Sequence, residues 1–262
     1  TTLEPDQLER LFFVLEDLFS MDKVLEFTVE AGRPDSITKE KLMVMKKHKV
    51  SRISINPQTM NQKTLDLIGR FHRVEEIRSA YKVARDCGFS CINMDIIVGL
   101  PGETMEDLIY TLQEIELLNP DNLTVHSLAI KRTSRLKLLM EDYENLPMEN
   151  SQKRMELVDE AARRMGMKPY YLYRQKNMAG NLENVGYARA GKEGLYNILI
   201  MEEQETIMAV GAGASTKLVV KTGDIVKRVE NVKDVAQYLT RVEEMIVRKR
   251  QAIKENFIKT VK

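Results

Sequence analysis

The stretch Cys91–Thr104, CINMDIIVGLPGET, sets a single carboxylate, Asp95, among Ile92, Met94, Ile96, Ile97 and Val98. An acid inside an apolar strand is costly unless it is paired or hydrogen-bonded. Two readings are open at this level. Asp95 is either half of a structural ion pair with a neighbouring Arg or Lys, or an acid held on a strand so that it can bind a ligand. Other polar groups stand near strand ends: Glu30, Gln58, and His126 with Ser127 and Ala129. His48 and His72 read as surface residues. Cys87 and Cys91 form a C-x3-C pair, CGFSC. Two thiols do not fill a zinc or cluster site, so they read as a helix-end and a strand-start cysteine in a reducing cytosol.

These residues need elements to carry them. Leu8, Leu11, Phe12, Leu15, Leu18 and Phe19 recur at helical spacing over 5–20, with Pro5 suited to a first turn. Residues 24–30 alternate as a strand, Thr38 caps a helix running to about Lys49, and 52–56 is a second strand. Helices follow at about 61–70 and 73–88, then the Asp95 strand. Thr104-x-x-Asp107 is a capping-box start for a helix that Asn119-Pro120 ends, and Leu123–Ile130 reads as a fourth strand. Strands alternating with helices predict a parallel sheet covered by helices. Glu30, Gln58 and 95–99 sit near the carboxyl ends of strands, where β/α barrels build their sites. No G-x-G-x-x-G follows a strand, so a Rossmann dinucleotide site has little support.

After Lys131 the character changes. The polar stretch 132–148 reads as a linker, 150–165 as a helix, 170–175 as a strand and 176–194 as loop. Strands are expected at 195–201 and 205–211 and a hairpin around Thr222-Gly223-Asp224, with one long helix over about 233–257 whose Val235, Leu239, Val242, Ile246 and Ile253 face inward. Gly211–Ser215 allows close backbone approach, either to a ligand or for tight packing. The expected division is 1–135 for the barrel part and 136–262 for an α+β accessory region.

With 40 basic and 39 acidic residues the net charge is +1, which gives no electrostatic case for nucleic acid or an anionic membrane. No apolar run approaches a membrane span, and TTLEPDQLERLF lacks the basic start and apolar stretch of a signal peptide. A cytoplasmic protein is expected.

Taken in order, VEAGRP with Glu30, RISINPQTM with Gln58, IGRFH with Arg70, INMDIIVGLPGET, LNPDNLTVHSLAI and VGAGAST resemble the oxygen-independent coproporphyrinogen III oxidase family of radical S-adenosylmethionine enzymes. YYLYRQKNMAGNLENVGYA points to its coproporphyrinogen dehydrogenase branch. The resemblance implies an α/β fold, a partial (β/α) barrel of the radical SAM type with a C-terminal α+β accessory region. It implies S-adenosylmethionine and a [4Fe–4S] cluster as cofactors, a tetrapyrrole substrate and a reduced electron donor. By the same match Glu30 contacts the cofactor, Gln58 follows the next strand, Arg70 can hold a carboxylate, and Asp95 accepts from the ribose hydroxyls. Ile97 and Ala129 line the adenine. A one-residue difference from the family's spacing falls between Glu30 and Gln58, around Gly32.

The family's C-x3-C-x2-C cluster motif and its GGGTPT run are missing from the sequence. The chain therefore resembles the carboxyl-terminal portion of the enzyme. It is expected to bind no cluster, to be inactive alone and to leave an unpaired sheet edge. In the family, radical cleavage of the cofactor removes a hydrogen from a propionate; loss of carbon dioxide and one electron leaves a vinyl group. The alternatives are a haem-handling relative without oxidase activity, or an unrelated β/α-barrel enzyme with no metal. The haem-handling relatives carry a His-Asn pair before Tyr-Trp, whereas 181–213 here has no His and the chain no Trp.

Overall fold

The structure is a computed structural model that describes residues 2–128, 150–174, 182–220 and 225–258. It divides into two compact units, Thr1–Gly194 and Leu195–Lys262.

The first unit is built on a six-stranded sheet in the order β1-β2-β3-β4-β6-β5. The strands are β1 (Thr28–Gly32), β2 (Arg52–Ile55), β3 (Ile92–Val98), β4 (Asn122–Ser127), β5 (Lys168–Tyr173) and β6 (Asn184–Ala188). The first four are parallel; β6 and β5 extend the sheet antiparallel. Parallel neighbours need crossovers, and helices supply them. These are α2 (Lys39–Lys47), α3 (Gln62–Leu67), α4 (Val74–Asp86) and α5 (Met105–Leu118), preceded by α1 (Pro5–Leu18) and followed by α6 (Gln152–Arg164). This is a mixed α/β fold with a mostly parallel sheet, in keeping with a partial β/α barrel. β1 stands at the edge of the sheet, with β2 its only partner among the described residues.

Local chemistry accounts for the helix ends. The Thr38 hydroxyl accepts from Lys41 N, and Ser151 accepts from Arg154 N. Thr104 and Asp107 close a capping box: Thr104 Oγ1 accepts from Asp107 N at 3.3 Å, and Asp107 Oδ2 accepts from Thr104 N at 2.9 Å. Asn119 ends α5 in the left-handed region at φ 56°.

Strand alternation sorts the sheet into two faces. Ile53, Ile55, Ile92, Met94, Ile96, Val98, Leu123 and Val125 pack under the helices against Leu42, Met45, Leu65, Ile77, Leu112, Ile115 and Val158. The opposite face carries Glu30, Ser54, Asn93, Asp95, Thr124 and His126. One apolar layer on one side thus holds a row of polar side chains on the other.

The sequence placed the division after residue 135; in the structure β5 and β6 continue the sheet, and the break follows Gly194. Residues 184–188, expected to be loop, form β6. Asn184 and Gly186 lower the strand propensity there, but each has a packing role: Asn184 Oδ1 accepts from Ser127 N at 2.8 Å, and Gly186 makes room for Tyr171. His48 and His72, expected at the surface, are each 2% exposed. His48 packs between Phe12 and Phe13 with Nδ1 2.9 Å from Glu16 Oε1. The linker expected at 132–148 lies outside the described residues.

The second unit holds α7 (Leu195–Glu202), the hairpin strands β7 (Ser215–Val220) and β8 (Ile225–Glu230), and helices α8 (Val235–Thr240) and α9 (Val242–Ile253). The run 195–201, expected as a strand, is helical: LYNILIM lacks a period-2 alternation, and its Leu and Met residues favour a helix. At 205–211 the expected strand reduces to a bridge between Ile207 and Lys217. The long terminal helix breaks at Arg241, and Val235 and Leu239, expected to face inward, are exposed. Gly211–Ser215 serves packing within this unit: Gly211 N donates to Tyr238 Oη at 3.1 Å, and Asn231 Nδ2 donates to Gly211 O at 2.7 Å.

Candidate functional site

Asp95 lies in the middle of β3 on the polar face, half-buried, opposite Thr124 of β4. Its carboxylate is not the ion-pair partner of an Arg or Lys among the described residues. Asn93 Nδ2 donates to Asp95 Oδ1 at 2.7 Å, and Asp95 Oδ2 stands 3.7 Å from His126 Nε2. The distance to His126 is too long for a hydrogen bond. One oxygen is therefore anchored, and the other faces the partly open space beside His126. A carboxylate with an available oxygen on a strand is suited to accept hydroxyls from a ligand.

Glu30 projects from β1 onto the same face, beside the polar side chains of Ser54 and Asn56, which favour its charged form. It is reached by solvent yet set in a dense wall of protein. Desolvation, then the negative charge of Asp95, push its pKa up, against those two side chains. Between Glu30 and Gly32 the register of β1 slips by one residue, a bulge at which Gly32 takes φ 57°.

Gln58 docks by its backbone. Its N donates to Asp95 O at 2.9 Å and its O accepts from Ile97 N at 2.8 Å, so it brackets Ile96 and prolongs the sheet beyond β2. It does so at φ 67°, a left-handed conformation that a non-glycine residue holds only when its surroundings demand it. The demand comes from the next turn. Buried Glu103, from the GLPGET motif, accepts from Thr59 Oγ1 at 2.6 Å and Asn61 Nδ2 at 3.4 Å, while Arg154 Nη2 donates to Glu103 O at 2.9 Å. Thr111 Oγ1 accepts from Met60 N at 3.1 Å. This knot ties the Gln58 turn to the start of α5.

Ile97 shares the face of Asp95 and sits opposite His126. Arg70 follows α3 on a turn closed by its own N donating to Leu65 O at 2.8 Å. Among the described contacts nothing joins Arg70 to Asp95 or Glu30; its charge acts on buried His72, whose pKa is lowered first by burial. Ala129 lies outside the described residues. The structure thus brings together Glu30, Asp95, Ile97 and the Gln58 backbone, and leaves Arg70 apart.

Sequence reading missed Ser54, Asn56, Asn93, Thr124 and Tyr171. Period-2 spacing carries part of the signal, since Asn93 and Thr124 are two residues from Asp95 and His126. Tyr171 has no such signal. A cavity of about 240 Å³ lined by Met155, Asp159, Leu182, Val185 and Tyr187 belongs to the α6 side of β6, where it plays no part with Asp95.

Residues 1–115 match the model of the radical SAM superfamily, so the chain carries a radical SAM domain. It is 41% identical to the oxygen-independent coproporphyrinogen-III oxidase-like protein HemZ of Bacillus subtilis, over 100% of this chain and 52% of that protein. It is 29% identical to the haem chaperone HemW of the same organism, over 82% of this chain and 54% of that protein. The solved coproporphyrinogen III oxidase HemN of Escherichia coli superposes with a TM-score of 0.68 at 22% identity, over 92% of this chain and 54% of that one, and supports the fold. The chain spans about half the length of these relatives.

The superfamily implies S-adenosylmethionine and a [4Fe–4S] cluster. Asp95, with Oδ1 taken by Asn93 and Oδ2 engaged only by His126 at ion-pair distance, fits a nucleoside beside apolar Ile97: hydroxyls for the second carboxylate oxygen, an apolar edge for the base. The two thiols do not fit a cluster. Cys91 is buried and its pKa is pushed up by desolvation, the opposite of what a thiolate ligand needs, and Cys87 caps α4. Among the described residues no helix is long and apolar enough to cross a membrane.

Proposed function

We propose that this chain forms the nucleoside-binding wall of a radical S-adenosylmethionine oxidoreductase that decarboxylates propionate side chains of a tetrapyrrole, coproporphyrinogen III, in porphyrin biosynthesis. The observation that carries the reading is the Asp95 carboxylate, with Oδ1 held by Asn93 and Oδ2 left to the space beside His126 and Ile97. The identity to HemZ along the full chain supports the substrate class.

In this reading Asp95 accepts the two ribose hydroxyls, Ile97 and Ala129 line the adenine, and Glu30 and the Gln58 turn border the methionine part. Arg70 is assigned to a cofactor carboxylate; its turn follows α3 directly after the Gln58 knot. S-adenosylmethionine, when bound and reduced, supplies the radical that takes a hydrogen atom from the propionate. The protein groups orient it and keep water out. The superfamily's cluster would need thiolates and a reduced electron donor that Cys87 and Cys91 do not provide, so the chain alone is expected to perform no decarboxylation. A cytoplasmic location accompanies the reading.

The test is calorimetric titration of the chain with S-adenosylhomocysteine, repeated with Asp95→Ala. Loss of charge-assisted hydrogen bonds at about 1.5–3 kcal/mol should weaken binding by roughly ten- to a hundredfold with the melting temperature little changed. A chain that ignores the nucleoside but shifts the Soret band of added haem would replace this reading with a haem-handling one. Decarboxylation by the chain alone would overturn the reading of Cys87 and Cys91 as unable to hold a cluster.

A further inference from the structure

Tyr171 of β5 sits directly opposite Gly186 of β6 in the antiparallel register. A Cβ built on Gly186 would stand 1.9 Å from Tyr171 Cε1, so the phenol ring lies flat across the glycine. Thr124 of β4 faces Gly186 from the other side in the register, so crossing β6 in this way points the phenol towards the Thr124 hydroxyl. Thr124 Oγ1 donates to Asn93 Oδ1 at 3.1 Å, and Asn93 Nδ2 donates to Asp95 Oδ1 at 2.7 Å and to Ser54 Oγ at 2.9 Å. Ser54 Oγ donates onward to Asn56 Oδ1 at 2.8 Å.

The direction of this chain follows from its end. An ionised carboxylate only accepts, so Asn93 must turn its amide nitrogen to Asp95 and its carbonyl to Thr124. The Thr124 hydroxyl then spends its proton on Asn93, so towards the Tyr171 phenol it can only accept. The phenol is therefore the first donor. Burial pushes its pKa up, with the Asp95 charge adding to the effect, so it keeps its proton. Hydrogen bonds aligned head to tail polarise one another and fix each member's rotamer.

We infer that Tyr171, acting through Thr124 and Asn93, is a positioning residue that sets the orientation of the Asp95 carboxylate towards the ribose diol of the bound nucleoside. The inference rests on the nucleoside-binding reading above. It makes Gly186 part of the same device, since any side chain there would lift the ring off β6.

Two measurements on the 262-residue chain test it. The first needs no ligand: the side-chain amide resonances of Asn93, identified by their loss in Asn93→Ala, are compared between wild type and Tyr171→Phe. The second is the affinity for S-adenosylhomocysteine. Tyr171→Phe removes only the hydroxyl and keeps the ring. It should move the Asn93 amide resonances and weaken binding by about two- to tenfold, the worth of one neutral hydrogen bond. Thr124→Val, which breaks the next link, should do the same. Wild type and Tyr171→Phe binding equally, with the Asn93 resonances unmoved and only the melting temperature lowered, would show a purely structural tyrosine and overturn the inference. A wild-type chain that binds no nucleoside overturns the underlying reading instead.

Discussion

Replacement of Glu103 tests how the Gln58 turn is held. Glu103 is 4% exposed, and its carboxylate is met by Thr59, Asn61 and Thr64. Desolvation pushes its pKa up, and these hydrogen bonds pull against that rise without cancelling it. Glu103→Ala removes the shared acceptor. Thr59 keeps a second partner, Thr111 Oγ1 at 3.1 Å, and Asn61 Nδ2 keeps Asp107 O at 3.0 Å, so the donors are only partly orphaned. The cost is then near the middle of the range for such losses, about 2 kcal/mol. For a chain of this size that lowers the melting temperature by about 4–8 °C. Glu103→Gln adds a pH signature. An acid whose folded pKa is raised stays protonated in the native state after the unfolded chain has released its proton. Wild-type stability from this group is full below the unfolded value, about 4.3, and is lost as pH rises through the folded one. The glutamine has no such loss. Urea unfolding at about pH 4.5, 6 and 8 should therefore show the deficit of Glu103→Gln shrinking as pH rises. A gap that stays constant or widens would refute the placement of Glu103 as a buried carboxyl.

Two further expectations follow from local geometry. Thr104→Ala breaks the capping box of α5 and should cost about 1 kcal/mol in thermal or urea unfolding; no change would mean the box forms without holding the helix. His72 is buried, with its pKa lowered by desolvation although it hydrogen-bonds the Pro57 backbone. A base with a depressed folded pKa contributes stability above its unfolded value, about 6.5, and loses it as pH falls through the folded one. Wild type should thus lose stability between about pH 7 and pH 5, and His72→Phe should flatten that part of the profile; equal slopes would count against a neutral buried imidazole.

Much of this protein is local in origin. The Thr38 cap, the Thr104–Asp107 box, the stop at Asn119 and the alternation through Asp95 each rest on neighbouring residues, and a local pattern is enough to define them. Asp95 could be singled out because a carboxylate in an apolar strand is anomalous wherever the strand lies. The ordered motifs from Glu30 to Gly211–Ser215 pointed to the radical SAM class for the same reason: each is a short run of side chains.

Which residues stand beside one another depends on packing between distant segments. Period 2 says that Asn93 and Asp95 share a face, but not that Thr124 of β4 and Tyr171 of β5 complete the row. Strand order and register are set by crossovers and by packing across the whole unit. Strand β6 was hidden for that reason: Asn184 and Gly186 are poor strand residues by propensity, and good ones only because Ser127 and the Tyr171 ring are their neighbours. His48 and His72 were misplaced because burial depends on what packs over a residue. Gln58 was legible as a turn residue, but its left-handed backbone is imposed by β3 on one side and the Glu103 knot on the other. Short local patterns are enough to mark which groups could act, whereas the pairing of distant strands sets which of them meet.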